Sequence, residues 1–214
     1  MRMAGPPAVT DPFAPERFPV AVREDLLEAQ RTAWDRLAAP GAWLTGAERH
    51  DVADVARGAD PHSEVGRVAQ WITVSPQSVD RGWASDQVAT LGAERYVETV
   101  AVTATVVAID RFADAIGAEV APLPDPQPGT PTGERASEVV DIGAHVPIDA
   151  TAQGANVGRA MSLVPAANRL FFALEQRMYA SGDEFWNLTW DRPLSRPQVE
   201  LIAARTSALN ECFY

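Results

Sequence analysis

Apolar residues recur at helical spacing through most of this chain, and the stretches where the pattern fails are rich in proline. Val22, Leu26, Leu27, Trp34 and Leu37 share one face of a segment that Pro40-Gly41 ends, which predicts a helix over 22–38. Thr45-Gly-Ala-Glu48 then reads as a capping box, the threonine hydroxyl accepting from a free backbone amide while the glutamate reaches back. The helix it opens runs to about Arg57 and stops at Gly58. Ser63 to Val74 and Ser78 to Leu91 are shorter helical segments separated by Pro76. Glu94 to Ile116 is the strongest prediction: Val97, Val100, Ala101, Ala104, Val107, Ala108 and Phe112 form one broad face, and Gly117 closes it.

Between Ala118 and Gly158 the character changes. Six prolines fall between Pro122 and Pro147, so this segment is expected to cross the surface as a long loop, with a short extended piece within 138–148. Helix returns at Pro165, a good first-turn residue, and runs to about Ala180 before Gly182. Asp183 to Pro193 is an aromatic connector holding Trp186 and Trp190. A second capping box, Leu194-Ser195-Arg-Pro-Gln198, opens a last helix expected to continue into the final residue. The fold class is therefore all-α, interrupted by one proline-rich crossing.

The two capping boxes, Leu44-Thr45-Gly-Ala-Glu48 and Leu194-Ser195-Arg-Pro-Gln198, stand 150 residues apart, as they would in two related halves. Such halves divide the chain into an extended arm over 1–21, a first helical repeat over 22–117, the crossing over 118–158, and the start of a second, incomplete repeat over 159–214. The last helix has its own peculiarity. Val199, Ile202, Ala203, Leu209 and Phe213 mark one face, yet Leu201, Ala204 and Ala208 make the other nearly as apolar. A helix apolar all round is expected to be covered on all sides, by the same chain or by a partner.

Composition narrows the functional classes. With 46% hydrophobic and 22% charged residues over 214 positions, the chain has the make-up of a globular protein. A net charge of -11 repels phosphate backbones and anionic bilayers, so neither nucleic acid nor membrane is an expected partner. The proline-rich start lacks a signal-peptide core, and the longest apolar stretch, Val100 to Ile109, is too short to span a bilayer. A cytoplasmic location is the expectation. A single cysteine, Cys212, rules out an internal disulfide framework and a multi-thiolate zinc site within one chain.

Candidate chemistry centres on Glu200 and Cys212, twelve residues apart and about 18 Å along a helix, too far to touch. A carboxylate there could still serve a thiol through an intervening histidine or water. The plainer reading makes Glu200 a surface charge and Cys212 a small buried hydrophobe. Under the 150-residue offset His50 falls opposite Glu200 and His62 opposite Cys212, which makes the first half a copy without a thiol, while His145 lies in the crossing. Proximity of His50 to Cys212 across the two halves is a further arrangement for the structure to test. Gly154-Ala-Asn-Val-Gly158 lacks the lysine and hydroxyl of a phosphate loop and reads as a turn. Asn187-Leu-Thr189 is a glycosylation sequon only in a secreted protein. The six tryptophans read as core and interface anchors, with an aromatic substrate pocket as the alternative.

The segment Arg196-Pro-Gln-Val-Glu-Leu-Ile-Ala-Ala-Arg-Thr-Ser-Ala-Leu-Asn-Glu-Cys-Phe-Tyr214 resembles the catalytic helix of the alkylhydroperoxidase D (AhpD) and carboxymuconolactone decarboxylase superfamily. That helix carries a glutamate, a cysteine twelve residues on, a second cysteine three further, and a histidine four beyond. Glu200 and Cys212 match the first two positions; the third would be 215. Trp34 to Arg57, and Tyr96-Val-Glu98 through Phe112 and Gly117, resemble the first half of two-repeat members.

The resemblance implies an AhpD-like helical fold and thiol- or selenol-dependent peroxide reduction without a cofactor. In that scheme the second cysteine attacks the peroxide oxygen, Cys212 resolves the sulfenic acid to a disulfide, and Glu200 with the histidine relays protons. Organic or hydrogen peroxide is the implied substrate, a lipoyl or thioredoxin-type dithiol the implied reductant, and a homo-oligomer the implied assembly. A cofactor-free lyase of the decarboxylase type, which needs no cysteine pair, and a non-catalytic assembly module are the alternatives. Three accounts explain a chain that stops before the nucleophile position: truncation, a selenocysteine codon after Tyr214, or a true stop. For the 214 residues alone, little or no peroxidase turnover is expected.

Overall fold

The computed structural model describes residues 11–179 and 192–212, and it is mostly helical, 57% helix with one two-stranded sheet. In chain order the helices are α1 (Glu24–Leu37), α2 (Gly46–Ala56), α3 (Glu64–Val74), α4 (Arg81–Leu91), α5 (Ala93–Ile116), α6 (Asn156–Arg159), α7 (Pro165–Met178) and α8 (Arg196–Leu209). The all-α expectation holds.

Local chemistry explains most boundaries. Thr45 and Glu48 form the expected box at α2: Glu48 Oε2 accepts from the Thr45 amide at 2.9 Å, and Thr45 Oγ1 accepts from the Glu48 amide at 3.2 Å. Ser63 and Asp80 cap α3 and α4 with their own side chains. The helix expected from Ser78 starts instead at Arg81, because Pro76–Ser78 is a 3-10 turn and Asp80 offers the better cap. Gly117, in the left-handed conformation at φ 71°, ends α5.

The long helix α5 is the organising element, packed against α1, α2, α3, α4 and α7. Its buried Thr99, Thr103 and Thr105 donate to the carbonyls four residues earlier, so their hydroxyls enter the core without an unpaired donor. One side of α5 joins Trp34, Leu44, Val52, Val65 and Leu174 in a first apolar cluster; the other joins Val68, Ala84, Val146, Leu163 and Ala167 in a second. Phe13 belongs to the first cluster and meets Trp34 edge-on at 5.9 Å, so the segment before α1 is anchored there.

The proline-rich crossing has no helix of its own until α6, yet it is tied down. Its Gln127 and Gly133 amides donate to the Ala38 and Ala42 carbonyls at 2.8 and 2.7 Å, and Trp34 Nε1 donates to the Pro122 carbonyl at 2.9 Å. The crossing thus runs along the loop between α1 and α2. The extended piece expected within 138–148 forms two strands, β1 (Val139–Val140) and β2 (Ile148–Asp149), paired antiparallel with Val140 opposite Ile148.

The last helix departs from expectation twice. It ends at Leu209 rather than running to the final residue, and Glu211 turns the chain with a φ of 54°. No residue of α8 is buried: Leu201 is 70% and Leu209 66% exposed. The apolar cover inferred from its sequence is not supplied by the described residues. Phe213 lies outside them, as do Trp186, Trp190 and the sequon at Asn187.

Candidate functional site

The capping chemistry of α2 recurs at α8. Gln198 Oε1 accepts from the Ser195 amide at 2.8 Å and from its hydroxyl at 3.0 Å, as Glu48 Oε2 does from the Thr45 amide at 2.9 Å and hydroxyl at 2.8 Å. Both helices therefore begin one residue after equivalent caps, at Gly46 and Arg196.

On α8, Glu200 accepts from Arg196 Nε at 2.7 Å and from the Tyr179 hydroxyl at 3.1 Å. Arg196 stands four residues earlier, one turn away, where a carboxylate and a guanidinium meet. Burial, then the hydrogen bond to Glu200, raise the Tyr179 hydroxyl above its ordinary value, which leaves it a donor at neutral pH. Tyr179 was not singled out by sequence reasoning, because nothing local joins it to a residue 21 positions away.

Cys212 lies past the end of α8. Its amide donates to the Ser207 carbonyl at 2.9 Å and its thiol is exposed, which corrects the reading of it as a small buried hydrophobe. None of the three histidines hydrogen-bonds Glu200 or Cys212. His50 sits half-buried on α2, His62 and His145 are exposed, and the contact imagined between His50 and Cys212 is not among the hydrogen bonds formed. Among the described residues no three His, Cys, Asp or Glu side chains gather as a metal site would require.

A second constellation sits in the first half. Arg49 on α2 and Glu98 on α5 approach to 3.2 Å, with side chains only 6% and 1% exposed. Glu98 accepts from the Trp43 amide at 2.6 Å, and the amides of Ala42 and Leu44 also point at it. Arg49 Nη1 donates to the carbonyls of Arg36 and Ala39 at 2.8 and 3.0 Å. Burial raises the Glu98 carboxyl above its usual range, with Arg49 and the amides opposing that; burial likewise lowers Arg49, with Glu98 opposing. Gly41 makes the approach possible, since a Cβ there would stand 1.6 Å from Glu98 Oε1.

Beside this pair Arg95 bridges Glu48 at 2.6 Å and the Trp43 carbonyl at 3.0 Å, linking the α2 cap to α5. The pair borders a cavity of about 650 Å³ between α1, the loop after it, the crossing and α7. Its one sequence signal was Glu98, a carboxylate within the long helix α5. A partner 49 residues away could not be read from that.

Trp71 and Trp83 stack at 6.1 Å, and Trp83 meets Tyr96 edge-on at 6.3 Å, which makes these three rings a packing unit between α3, α4 and α5. Among the described residues no helix is long and apolar enough to cross a membrane. No family model matches the chain, and no curated protein and no solved structure is significantly similar to it.

Proposed function

We propose that this chain is an AhpD-like oxidoreductase whose parent chemistry is thiol- or selenol-dependent reduction of hydroperoxides, with Glu200 and Cys212 as the carboxylate and resolving thiol of that site. The observation that carries the reading is the repetition of the α2 cap at α8, on the helix that holds Glu200 and leads to an exposed Cys212. A resolving cysteine must reach a sulfenic acid on a neighbouring residue, so an accessible thiol just past a helix end suits it better than one packed in the core.

In this scheme the attacking thiolate or selenolate, three residues beyond Cys212, takes the terminal peroxide oxygen and releases an alcohol. Cys212 then displaces water from the oxidised group to form the disulfide or selenosulfide, and an external dithiol reduces that bond. In this reading the Glu200 carboxylate, which accepts from Arg196 and Tyr179, relays a proton through water or a histidine. The donor is read as a lipoyl or thioredoxin-type dithiol, the assembly as a homo-oligomer and the compartment as the cytoplasm.

The test is kinetic. The chain lengthened to complete the motif, with a cysteine three residues beyond Cys212 and a histidine four further on, should reduce an alkyl hydroperoxide with a dithiol donor and lose turnover on Cys212→Ala. No turnover, or turnover that survives Cys212→Ala, overturns the reading.

The exposure of Leu201, Ile202 and Leu209 favours a second reading, in which α8 serves as an assembly surface. A stable oligomer by light scattering, with no redox response, would select it.

A further inference from the structure

A second cavity, of about 470 Å³, lies against the first turns of α5 and is enclosed by the loop between β1 and β2 and by α6. Its wall is apolar: Val97, Val146, Ile148 and Met161 are buried there, and Ile142 and Val157, 44% and 55% exposed, carry the apolar surface out to the mouth. Charged residues make up 22% of the chain, yet none of the thirteen that line this cavity is Asp, Glu, Lys or Arg. An ionised ligand would lose its water there and find no countercharge, so the lining selects a neutral one.

The outer wall is held by the protein itself. Arg81 on α4 donates to the Gly143 and Ala144 carbonyls, the Gly143 amide donates to Asp141 Oδ1 at 2.8 Å, and the Asp149 amide at the end of β2 donates to Ser162 Oγ at 3.0 Å. A wall fixed in this way spares an occupant the cost of ordering it.

One polar group on the inner wall is left open. Tyr96 on α5 lines the cavity and is only 5% exposed, with its ring edge-on to Trp83. Its hydroxyl has no hydrogen-bond partner in the protein, and it does not number among the unpartnered polar atoms that solvent cannot reach. An accessible hydroxyl on so deeply buried a residue faces the cavity which that residue lines. Burial raises it above its ordinary value, so it stays protonated and is a donor at neutral pH. The acceptors nearby are already engaged, since Asn156 Oδ1 accepts from Arg159 at 2.6 Å and the Gly143 and Ala144 carbonyls accept from Arg81. What the inner wall asks of an occupant is therefore an acceptor.

We propose that this cavity binds a neutral, largely apolar carbonyl compound, its carbonyl oxygen accepting from the Tyr96 hydroxyl and its body lying against Val97, Val146, Ile148 and Met161. Neither Glu200 nor Cys212 lines the cavity, so this binding is independent of the redox reading.

Equilibrium dialysis of the 214-residue chain against three probes tests the assignment: 2-acetylnaphthalene, 2-ethylnaphthalene, which lacks the acceptor, and 2-naphthoate, which adds a charge. The ketone should bind, the hydrocarbon about threefold to tenfold more weakly, and the carboxylate about tenfold or more weakly. Tyr96→Phe removes a hydroxyl that no protein group answers, so it should bring the ketone to the affinity of the hydrocarbon while leaving the hydrocarbon and the melting temperature unchanged. Val157→Glu, at the exposed mouth, should weaken both neutral probes with the fold intact. Failure of the ketone to bind sinks the proposal, as does a carboxylate that matches it. Ketone affinity that survives Tyr96→Phe, or neutral probes indifferent to Val157→Glu, would show that the hydroxyl or the cavity is not the binding group, and the proposal is then wrong.

Discussion

Arg49 and Glu98 carry their charges into the core together, 3.2 Å apart and separated by 49 residues of chain. Taking two ions out of water costs several kcal/mol each, and their attraction recovers that only with further hydrogen bonds. Here the end of α1 and the loop after it supply them, with the Trp43 amide on the carboxylate and the Arg36 and Ala39 carbonyls on the guanidinium. The pair therefore ties α2, α5 and the loop between α1 and α2 into one unit.

Breaking the pair from one side should be costly. Glu98→Gln leaves a buried guanidinium with no countercharge, a loss of about 3 to 5 kcal/mol. Replacing both partners, with Arg49→Met alongside Glu98→Leu, should recover much of it, because no charge is then stranded. Urea unfolding of Glu98→Leu, of Arg49→Met and of the double measures the coupling. A single within about 1 kcal/mol of the parent would mean the charges do not depend on each other.

Gly41→Ala tests the same junction through the backbone. The new methyl would stand 1.6 Å from Glu98 Oε1 and 3.2 Å from Arg49 Cζ, and the carboxylate has no room to retreat without leaving its amides. Destabilisation of about 2 kcal/mol or more is expected. In a Glu98→Ala background the cost should largely vanish, since the obstructing group is gone.

Glu48 gives stability an acid-side dependence. Burial opposes its charge, but the hydrogen bonds from Arg95 and Thr45 outweigh that and hold the carboxyl below its ordinary value. A lowered folded pKa means the native state favours the charged form. The contribution is complete above the unfolded value of about 4.3 and is lost as pH falls through the lower, folded value. Glu48→Gln keeps the cap acceptor and loses the Arg95 pair, so it should cost about 1 kcal/mol at neutral pH. That difference should shrink as pH falls below about 4.3, as read from urea midpoints at neutral and acidic pH.

Helix α8 should tolerate charge where α2 does not. Leu201→Lys and Leu209→Lys replace side chains already in water, so each should change stability by less than about 0.5 kcal/mol. Val52→Lys, at a fully buried position of α2, should unfold the domain or cost several kcal/mol. If α8 is an assembly surface, the two lysine variants should also dissociate the oligomer in sedimentation velocity.

Cys212 should react with a thiol reagent such as DTNB in the native state, at a rate denaturant barely raises, because its sulfur is exposed. Protection of the thiol until unfolding would instead place it in an interface.

Much of the fold was legible because helices are specified locally. The 3.6-residue spacing of Val97, Val100, Ala101, Ala104 and Val107 defined α5, and the Thr45–Glu48 and Ser195–Gln198 pairs marked two helix starts to the residue. The errors were also local in origin. Alanine, threonine and leucine continue the pattern of α8 toward the chain end, but the turn at Glu211 stops it, and Ser78 resembles a helix cap in sequence where Asp80 caps instead.

The candidate sites divide along the same line. Glu200 and Cys212 could be singled out because their spacing is written along one segment. Tyr179 against Glu200 and the pairing of Arg49 with Glu98 could not, because each joins residues that are remote in the chain.

The sequence by itself determined the helices, their caps and the proline-rich break, since these depend on contacts between residues three or four apart. Only the tertiary structure decided which glutamate is buried, which arginine answers it, and that Leu201, Ile202 and Leu209 of α8 are exposed. Burial is a property of what packs against a residue, and whether a charge is held or a leucine is covered depends on neighbours brought in by the fold.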